Sequence, residues 1–332
     1  MYSLVIDSVR APAKPLVVIL GPTASGKSEL GIFLAQQLGG EVLVCDSTQV
    51  YRHFDIGTGK VPSTPEASGR GSAPHHLLDL CEPTEEFTAG DYQRAARAAL
   101  AAVSGRGRLP IVTAGTGLYL RALLEGLSPL PLRSPALRAR LREQAEEHGC
   151  EHLHRLLARV DPESAQAIAP RDASKLIRAL EVFFQARRPR SELFRSGRDP
   201  LEGYAVEKLG LLPERKALYA RIEARVDKML AAGWLEEVRR LLALSKVEGR
   251  ARFPKDAKPF GFLGYKQLAA HLEGELSFEE AVRLTKQETR RYAKRQLTWF
   301  RKESGVEWLS GFGDEEQIQN EALERVRASV RS

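Results

Sequence analysis

Asparagine is almost absent: in 332 residues only Asn320 occurs. An N-K-x-D guanine-reading motif therefore cannot form, which excludes an ordinary GTPase. The three cysteines, Cys45, Cys81 and Cys150, are scattered at spacings that fit neither a zinc site nor a disulfide framework. They read as reduced structural thiols of a cytoplasmic protein. No stretch approaches the roughly 18 uninterrupted apolar residues of a membrane span, so no membrane association is expected. The opening MYSLVIDSVRAPAK has no cationic start followed by a long apolar run, so a secretory signal is not expected either. No internal repeat is visible. What the chain does have is 43% apolar residues, enough for a full core, and a length that suits two domains or one large one. Its 50 Lys and Arg outnumber its 43 Asp and Glu, a formal charge of +7 that favours an anionic partner.

Short apolar runs alternate with helical patterns along much of the chain. PLVVIL (15–20), EVLVC (41–45) and LPIVTA (109–114) read as buried strands, and GYAVEKLGLL (203–212) and VEWL (306–309) as further ones. Between the first two, Leu30, Phe33, Leu34 and Leu38 share a helix side that stops at Gly39-Gly40. A helix is predicted around Ala95–Val103. The alternation predicts an α/β fold with a parallel sheet covered by helices on both faces. PSTPEASGRGSAP (62–74) reads as a loop. From PLPLRSP (129–135) to about Arg188 only helices are predicted, an all-helical insertion. This divides the chain into a first core part (1–128), the insertion (129–188) and a second core part with long helices (189–332).

Gly21-Pro22-Thr23-Ala24-Ser25-Gly26-Lys27-Ser28 satisfies G-x-x-x-x-G-K-[ST], after a strand and at the start of a helix. Such a loop turns backbone N–H groups around phosphate oxygens, and the helix N-terminus adds its positive end. Lys27 supplies a mobile cation, and the Ser28 hydroxyl can ligate Mg²⁺. Nothing in phosphate-loop mechanics requires a hydroxyl at Thr23, which either satisfies the loop backbone or meets a substrate.

Asp46 follows the second strand at the sheet edge where ligands of open α/β sheets bind. It can cap a following helix with Gln49 as its capping-box partner, ligate Mg²⁺ through water, or act as a general base. On the helix after Pro213, Leu218, Ile222, Val226 and Met229 form the apolar stripe. Arg225 falls within about 20° of Leu218, inside that stripe. It is either half of a buried ion pair, a side chain snorkelling at the stripe's edge, or a cation facing the loop's phosphates.

Over 278–302, Arg283, Arg290, Lys294 and Arg301 lie within roughly 40° of one direction, with Leu284, Tyr292 and Trp299 on another side. This ridge suits a phosphodiester backbone or simply a solvated face. Lys175 and Arg178 lie on the polar side of a helix that buries Leu176, Leu180 and Phe183. Arg187, Arg188, Arg190, Arg195 and Arg198 follow in an apparent loop. His75-His76 are taken as structural, because two adjacent histidines rarely share a metal.

GPTASGKS, CDSTQVYRHFDIGTGK (45–60), PHHLLDL (74–80), AGTGLYLRALLEGL (114–127), RALEVF (178–183), LGYKQL (263–268) and TRRYAKRQLTWFR (289–301) occur in that order. Together they resemble the bacterial-type tRNA isopentenyltransferases, the tRNA dimethylallyltransferases, from about residue 15 to about 310. The run D-S-x-Q-V-Y-x-x-x-D-I-G-T is the most specific part. The resemblance implies a P-loop NTPase-like core with an inserted tRNA-binding helical domain. It also implies transfer of a dimethylallyl group from dimethylallyl diphosphate to the exocyclic N6 amine of adenosine 37 of tRNA. The phosphate loop, Gly21 to Ser28, then holds the donor's diphosphate, with Mg²⁺ as cofactor and no ATP hydrolysed.

By position, Asp46 matches the family's general base, and Thr23 and Arg225 match the residues that hold the leaving diphosphate. Asp46, Ser47, Thr48, Gln49, Thr116, Arg138, Ser174, Lys175, Arg178, Gly264, Tyr265 and Lys266 match tRNA-contacting positions. The basic ridge adds Arg290 and Lys294. Gly261 stands where some members carry arginine. The partner is then the anticodon stem-loop, with its target base flipped out of the stack, and a monomer is expected. A P-loop nucleoside or small-molecule kinase is the alternative from the same residues, and a nucleotide-driven RNA-binding switch a second.

Overall fold

The computed structural model describes residues 13–61, 73–195, 197–245, 254 and 257–331. Six strands, β1 (Lys14–Leu20), β2 (Gly40–Cys45), β3 (His75–His76), β4 (Leu109–Ala114), β5 (Tyr204–Leu211) and β6 (Val306–Leu309), form one sheet. All pair in parallel, in the order β3-β2-β4-β1-β5-β6. The central strands are near-continuous apolar runs because helices cover both faces of a parallel sheet. Every residue of β2 and β4 is buried, as are Leu16–Leu20 of β1. β3 escapes the sequence pattern: its two histidines carry no alternation, and only pairing to Val42 and Leu43 makes them a strand.

Helix α1 (Lys27–Leu38) packs Leu30 and Leu34 against Val17, Ile19, Val42 and Ile111. The last helix described (Glu316–Arg331) adds Ile318, Ala322, Leu323 and Val326 to the same core. Helix α2 (Ala89–Gly105) packs on β2 and β4. It starts earlier than the sequence predicts, because Thr88 and Asp91 form a reciprocal capping box that satisfies the first amides. The chain continues through α3 (Gly117–Leu124), α4 (Pro135–His148), α5 (Cys150–Val160), α6 (Pro162–Ala167), α7 (Ala173–Ala186) and α8 (Arg190–Arg195).

A separate cluster joins Phe54 to Val226, Trp234, Val238, Leu241, Phe260, Tyr265 and Leu268. These come from α9 (Arg215–Ala231), α10 (Trp234–Ser245), α11 (Tyr265–Leu272) and the short 3₁₀ turn Lys258–Gly261. Helix α12 (Phe278–Phe300) is capped by Ser277 and buries Ala281, Thr285, Ala293, Gln296 and Phe300. No helix among the described residues is long and apolar enough to cross a membrane.

The chain divides into two compact units: residues up to Leu123 together with those from Glu202 onward, and Leu124–Leu201. The second is wider than the 129–188 drawn from sequence. Its two ends run side by side: Leu201 N donates to Leu124 O at 2.9 Å, and Arg198 pairs with Glu125. Its core is Leu141, Leu153, Leu157, Ile168, Leu176, Ile177 and Leu180. The stretch expected as an arginine-rich loop contains the short helix Arg190–Arg195. Ser191 there binds the buried Asp161 carboxylate through both its amide and its hydroxyl. Most of the expected 62–74 loop (62–72) lies outside the described residues.

Candidate active site

Residues 21–26 link β1 to α1, and the loop backbone turns through left-handed φ values at Ala24 (63°) and Gly26 (86°). Lys27 Nζ donates to Pro22 O at 2.7 Å. Burial, followed by the neighbouring Arg225 charge, pulls the Lys27 ammonium down to about 8, with Asp46 and Glu29 acting the other way. The Ser25 hydroxyl is buried without a hydrogen-bond partner among the described residues. A cation held below its ordinary range and an unsatisfied buried hydroxyl are what an anion would relieve.

The Asp46 carboxylate has two different oxygens. Oδ1 accepts from Thr48 N (2.8 Å) and Thr48 Oγ1 (2.6 Å), and a turn rather than a helix follows. The expected helix cap with Gln49 is therefore corrected. Asp46 caps a turn two residues on, and Gln49 Nε2 instead donates to Thr58 O at 3.1 Å. Oδ2 has no hydrogen-bond partner among the described residues and lies by Gly115, where an added Cβ would meet it at 2.8 Å. One oxygen is fixed; the other faces the crevice.

Leu218, Ile222 and Val226 are buried as the stripe requires, and Arg225 turns toward the loop. Among the described residues it makes no ion pair, so the buried-pair reading is set aside. Burial lowers its pKa, while the fields of Glu29 and Asp46 raise it. Its guanidinium lies against the backbone of Gly59, where an added Cβ would stand 2.0 Å from Nη2. Gly59 has a φ of +68°, so a side chain there is both strained and blocked.

Two cavities, of about 70 and about 380 Å³, share Thr23, Asp46, Thr58, Arg225 and Tyr292. The smaller is polar and lined by the phosphate loop from Thr23 to Ser28, with Glu29, Gln49, His75, Thr113 and Gln296. The larger adds Ile222, Val226, Met229, Trp234, Phe262 and Leu263, an apolar wall beside Ser47 and Thr48. A polar end lined by the phosphate loop therefore adjoins a chamber with an apolar wall, and Asp46 and Arg225 line both.

The segment 54–60 is held from two sides. The buried Glu237 carboxylate accepts the amides of Asp55 (3.1 Å) and Ile56 (2.9 Å), and the Tyr265 hydroxyl donates to it. Gly57 N donates to that hydroxyl at 3.1 Å. The Lys60 ammonium bridges Asp55 and Asp79 at 2.7 and 2.6 Å. Glu237 and Lys60 thereby locate Gly59, and with it Arg225.

Asp46, Ser47, Thr48, Gln49 and Thr116 gather at the carboxyl ends of β2 and β4. Thr116 Oγ1 accepts the Ser47 amide at 2.9 Å, tying the two loops together. Gly264 precedes α11 and its amide donates to Gln267 Oε1; Lys266 is exposed. Tyr265 is fully buried and builds the wall. In the helical unit Arg138 and Arg178 converge on the buried Glu181, at 3.3 and 2.7 Å. There too, Lys175 pairs with Asp172, and Ser174 is exposed. The ridge on α12 is less uniform than its sequence: Arg283 pairs with Glu280 and Arg290 with Glu223, while Lys294 and Arg301 stand exposed.

Gln296 was not among the sequence candidates. Its Oε1 accepts the Thr23 amide and its Nε2 donates to Gly115 O, both at 2.7 Å. The signal was available, since Gln296 falls on the same helix side as Ala281, Thr285, Ala293 and Phe300. A polar group inside a buried stripe asks for partners, as Arg225 does. Tyr292, Thr58 and His75 were missed as wall residues for want of any such signal.

Residues 49–303 match the IPP transferase family, and residues 14–69 match an isopentenyl transferase family. A tRNA dimethylallyltransferase of Solibacter usitatus is 49% identical over 312 residues, which is 94% of this chain and 98% of the relative. That of Koribacter versatilis is 49% identical over 314 residues, 95% and 98% of the two chains. Among solved structures, the tRNA isopentenylpyrophosphate transferase of Bacillus halodurans superposes with a TM-score of 0.66 at 34% identity, over 96% of this chain and 98% of that one. A eukaryotic dimethylallyltransferase acting on tRNA gives 0.76 at 27% identity, over 95% and 78%. By the family match over most of its length and by its identity to these relatives across nearly the whole of both chains, this chain belongs to the IPP transferase family.

Proposed function

We propose that this protein transfers the dimethylallyl group from dimethylallyl diphosphate to the exocyclic N6 amine of adenosine 37 in the anticodon loop of tRNA. The observation that carries the reading is the pair of adjoining cavities. An arginine without an ion pair and a carboxylate with one free oxygen, both among the described residues, stand where a polar pocket adjoins one with an apolar wall.

The nitrogen attacks the donor's C1, the C1–O bond to diphosphate breaks, and the N6 proton leaves as the C–N bond forms. An adenine amine is too weakly acidic to be deprotonated beforehand, so Asp46 Oδ2 accepts the proton during bond formation. Thr48 holds the other oxygen and so fixes the direction of that lone pair. Charge accumulates on the departing diphosphate, and Lys27, Arg225, the Thr23 hydroxyl and the amides at the start of α1 are placed to meet it. The Thr23 amide is already taken by Gln296, which leaves its hydroxyl as the group it offers. The apolar wall of the larger cavity suits the prenyl tail and the face of an extruded base.

The residues fit Mg²⁺. The Ser28 hydroxyl and the Asp46 and Glu29 carboxylates line the polar cavity, a set of hard oxygen donors. No group of three or more Asp, Glu, His or Cys side chains that could by itself hold a metal ion occurs among the described residues. The ion would therefore draw its remaining ligands from phosphoryl oxygens and water, as Mg²⁺ usually does. When bound it supplies positive charge against the diphosphate.

Incubation with dimethylallyl diphosphate labelled in the prenyl group and unmodified tRNA tests the reading. Label is expected in tRNA, on N6 of one adenosine. Transfer from γ-labelled ATP to a nucleoside, with no prenyl transfer, would make the protein a kinase instead.

A further inference from the structure

One residue that lines the polar end of the crevice carries an unsatisfied ring nitrogen. His75 lies on the edge strand β3, beside Val42, and lines the smaller cavity with Lys27, Ser28, Glu29 and Thr113. Its Nε2 is buried and has no hydrogen-bond partner among the described residues. Its Nδ1 is 2.8 Å from Ala73 O. A carbonyl oxygen only accepts, so Nδ1 carries the proton, and in the neutral ring Nε2 offers a lone pair. Burial, reinforced by the neighbouring His76, holds the ring below the ordinary imidazole range despite the Ala73 contact.

That lone pair is unusual company for an anion site. The Lys27 ammonium and the Arg225 guanidinium offer donors there, while Nε2, like the Asp46 and Glu29 carboxylates, only accepts. A bare Nε2 would meet a phosphoryl oxygen acceptor to acceptor, which is repulsive. It needs a donor between itself and the anion. Water in the shell of a divalent cation is such a donor, strongly polarised and turned outward from the ion. Ser28, on the same cavity wall, is the residue placed to hold that ion.

We propose that His75 is a positioning residue for the site's hydrated Mg²⁺, its Nε2 accepting a hydrogen bond from a water bound to the ion. This rests on the diphosphate reading above. His75 then ties the edge strand of the sheet to the ion's outer shell and favours a cation that keeps its water. The adjacent His76 does different work: its ring pairs with Glu41 at 2.6 Å, beside Arg106. The pair of histidines is thus divided between the cavity and the Glu41–Arg106 cluster.

The test compares affinity for inorganic diphosphate without metal and for the same anion as its Mn²⁺ complex, measured by calorimetry on the full-length protein. The ratio of the two constants reads the metal's contribution. In His75→Phe, which keeps a ring and loses the acceptor, that ratio is expected to fall by about tenfold or more. His75→Gln places a carbonyl oxygen near the Nε2 position and is expected to restore it. Metal-free diphosphate affinity should be the same in all three proteins. If His75→Phe does not fold, His75→Asn replaces it, since the shorter amide reaches only the Nδ1 position. An unchanged ratio in the acceptor-less variant would overturn the proposal. So would a loss of metal-free diphosphate affinity as large as the loss with metal, which would make His75 a direct anion contact. A wild-type protein that binds neither form would overturn the diphosphate reading as well.

Discussion

The Thr23 amide donates to Gln296 Oε1 at 2.7 Å, across 273 positions of sequence. The same Gln296 side chain donates to Gly115 O, so one amide group joins the phosphate loop, the loop after β4 and α12. Replacing it with Met preserves volume and leaves both backbone groups unpaired. A buried unsatisfied group costs about 1–3 kcal/mol. Gln296→Met should therefore lower Tm by several degrees and reduce kcat as Thr23 loses its anchor. Calorimetry and steady-state kinetics check both, and unchanged values in both would assign the contact no importance.

Arg225 is expected to matter to turnover more than to tRNA affinity. A preorganised donor to developing charge is worth around 3 kcal/mol, so Arg225→Ala should lose on the order of 100-fold in kcat. Gly59→Ala should lose activity by the same route, because its new methyl occupies the guanidinium's place. The double variant should then fall little below Arg225→Ala alone, whereas additive losses would show that the two positions act separately.

For Asp46 the informative change is to Asn. An amide oxygen still accepts from Thr48, so the turn is kept while the proton acceptor is lost. Both substrates should bind Asp46→Asn nearly as well as wild type, with transfer abolished in single-turnover assays. Near-normal turnover would return Asp46 to a capping role.

Lys27 gives the site a pH dependence of known sign. In the free protein it loses its proton at about 8, and a bound diphosphate raises that value. Binding above pH 8 therefore takes up a proton, and Kd should rise by up to about tenfold per pH unit. Dimethylallyl diphosphate is already ionised there, so the step belongs to the protein. Calorimetry in buffers of different ionisation enthalpy should register the uptake, and Lys27→Met should bind weakly without the step.

On α12 the ion pairs separate residues that the sequence treats alike. Lys294→Ala should lower the salt dependence of tRNA binding by about one unit of slope. Arg290→Ala should change the slope less, because Glu223 already neutralises that guanidinium. Filter binding over a range of salt concentrations measures both. Equal effects would mean the Arg290–Glu223 pair opens on binding, and no effect at Lys294 would remove the ridge from the interface.

The local features of this protein were legible in its sequence. Runs such as LVVIL must be strands buried on both faces. G-P-T-A-S-G-K-S after such a strand reads as a phosphate loop, and an arginine inside an apolar stripe marks a buried cation. Each of these follows from neighbours a few residues apart. The sequence could not say which oxygen of Asp46 is free, because Thr48 and Gly115 decide that from different loops. Nor could it say that Glu237 and Lys60 hold the segment against which Arg225 lies. Gln296 as the bridge and His75 as a cavity wall depend on contacts between strands and helices far apart in the chain. Chemistry was written in residue types and spacing, while the direction each group faces was decided by packing, which brings distant groups within hydrogen-bond reach only after the sheet and helices have closed.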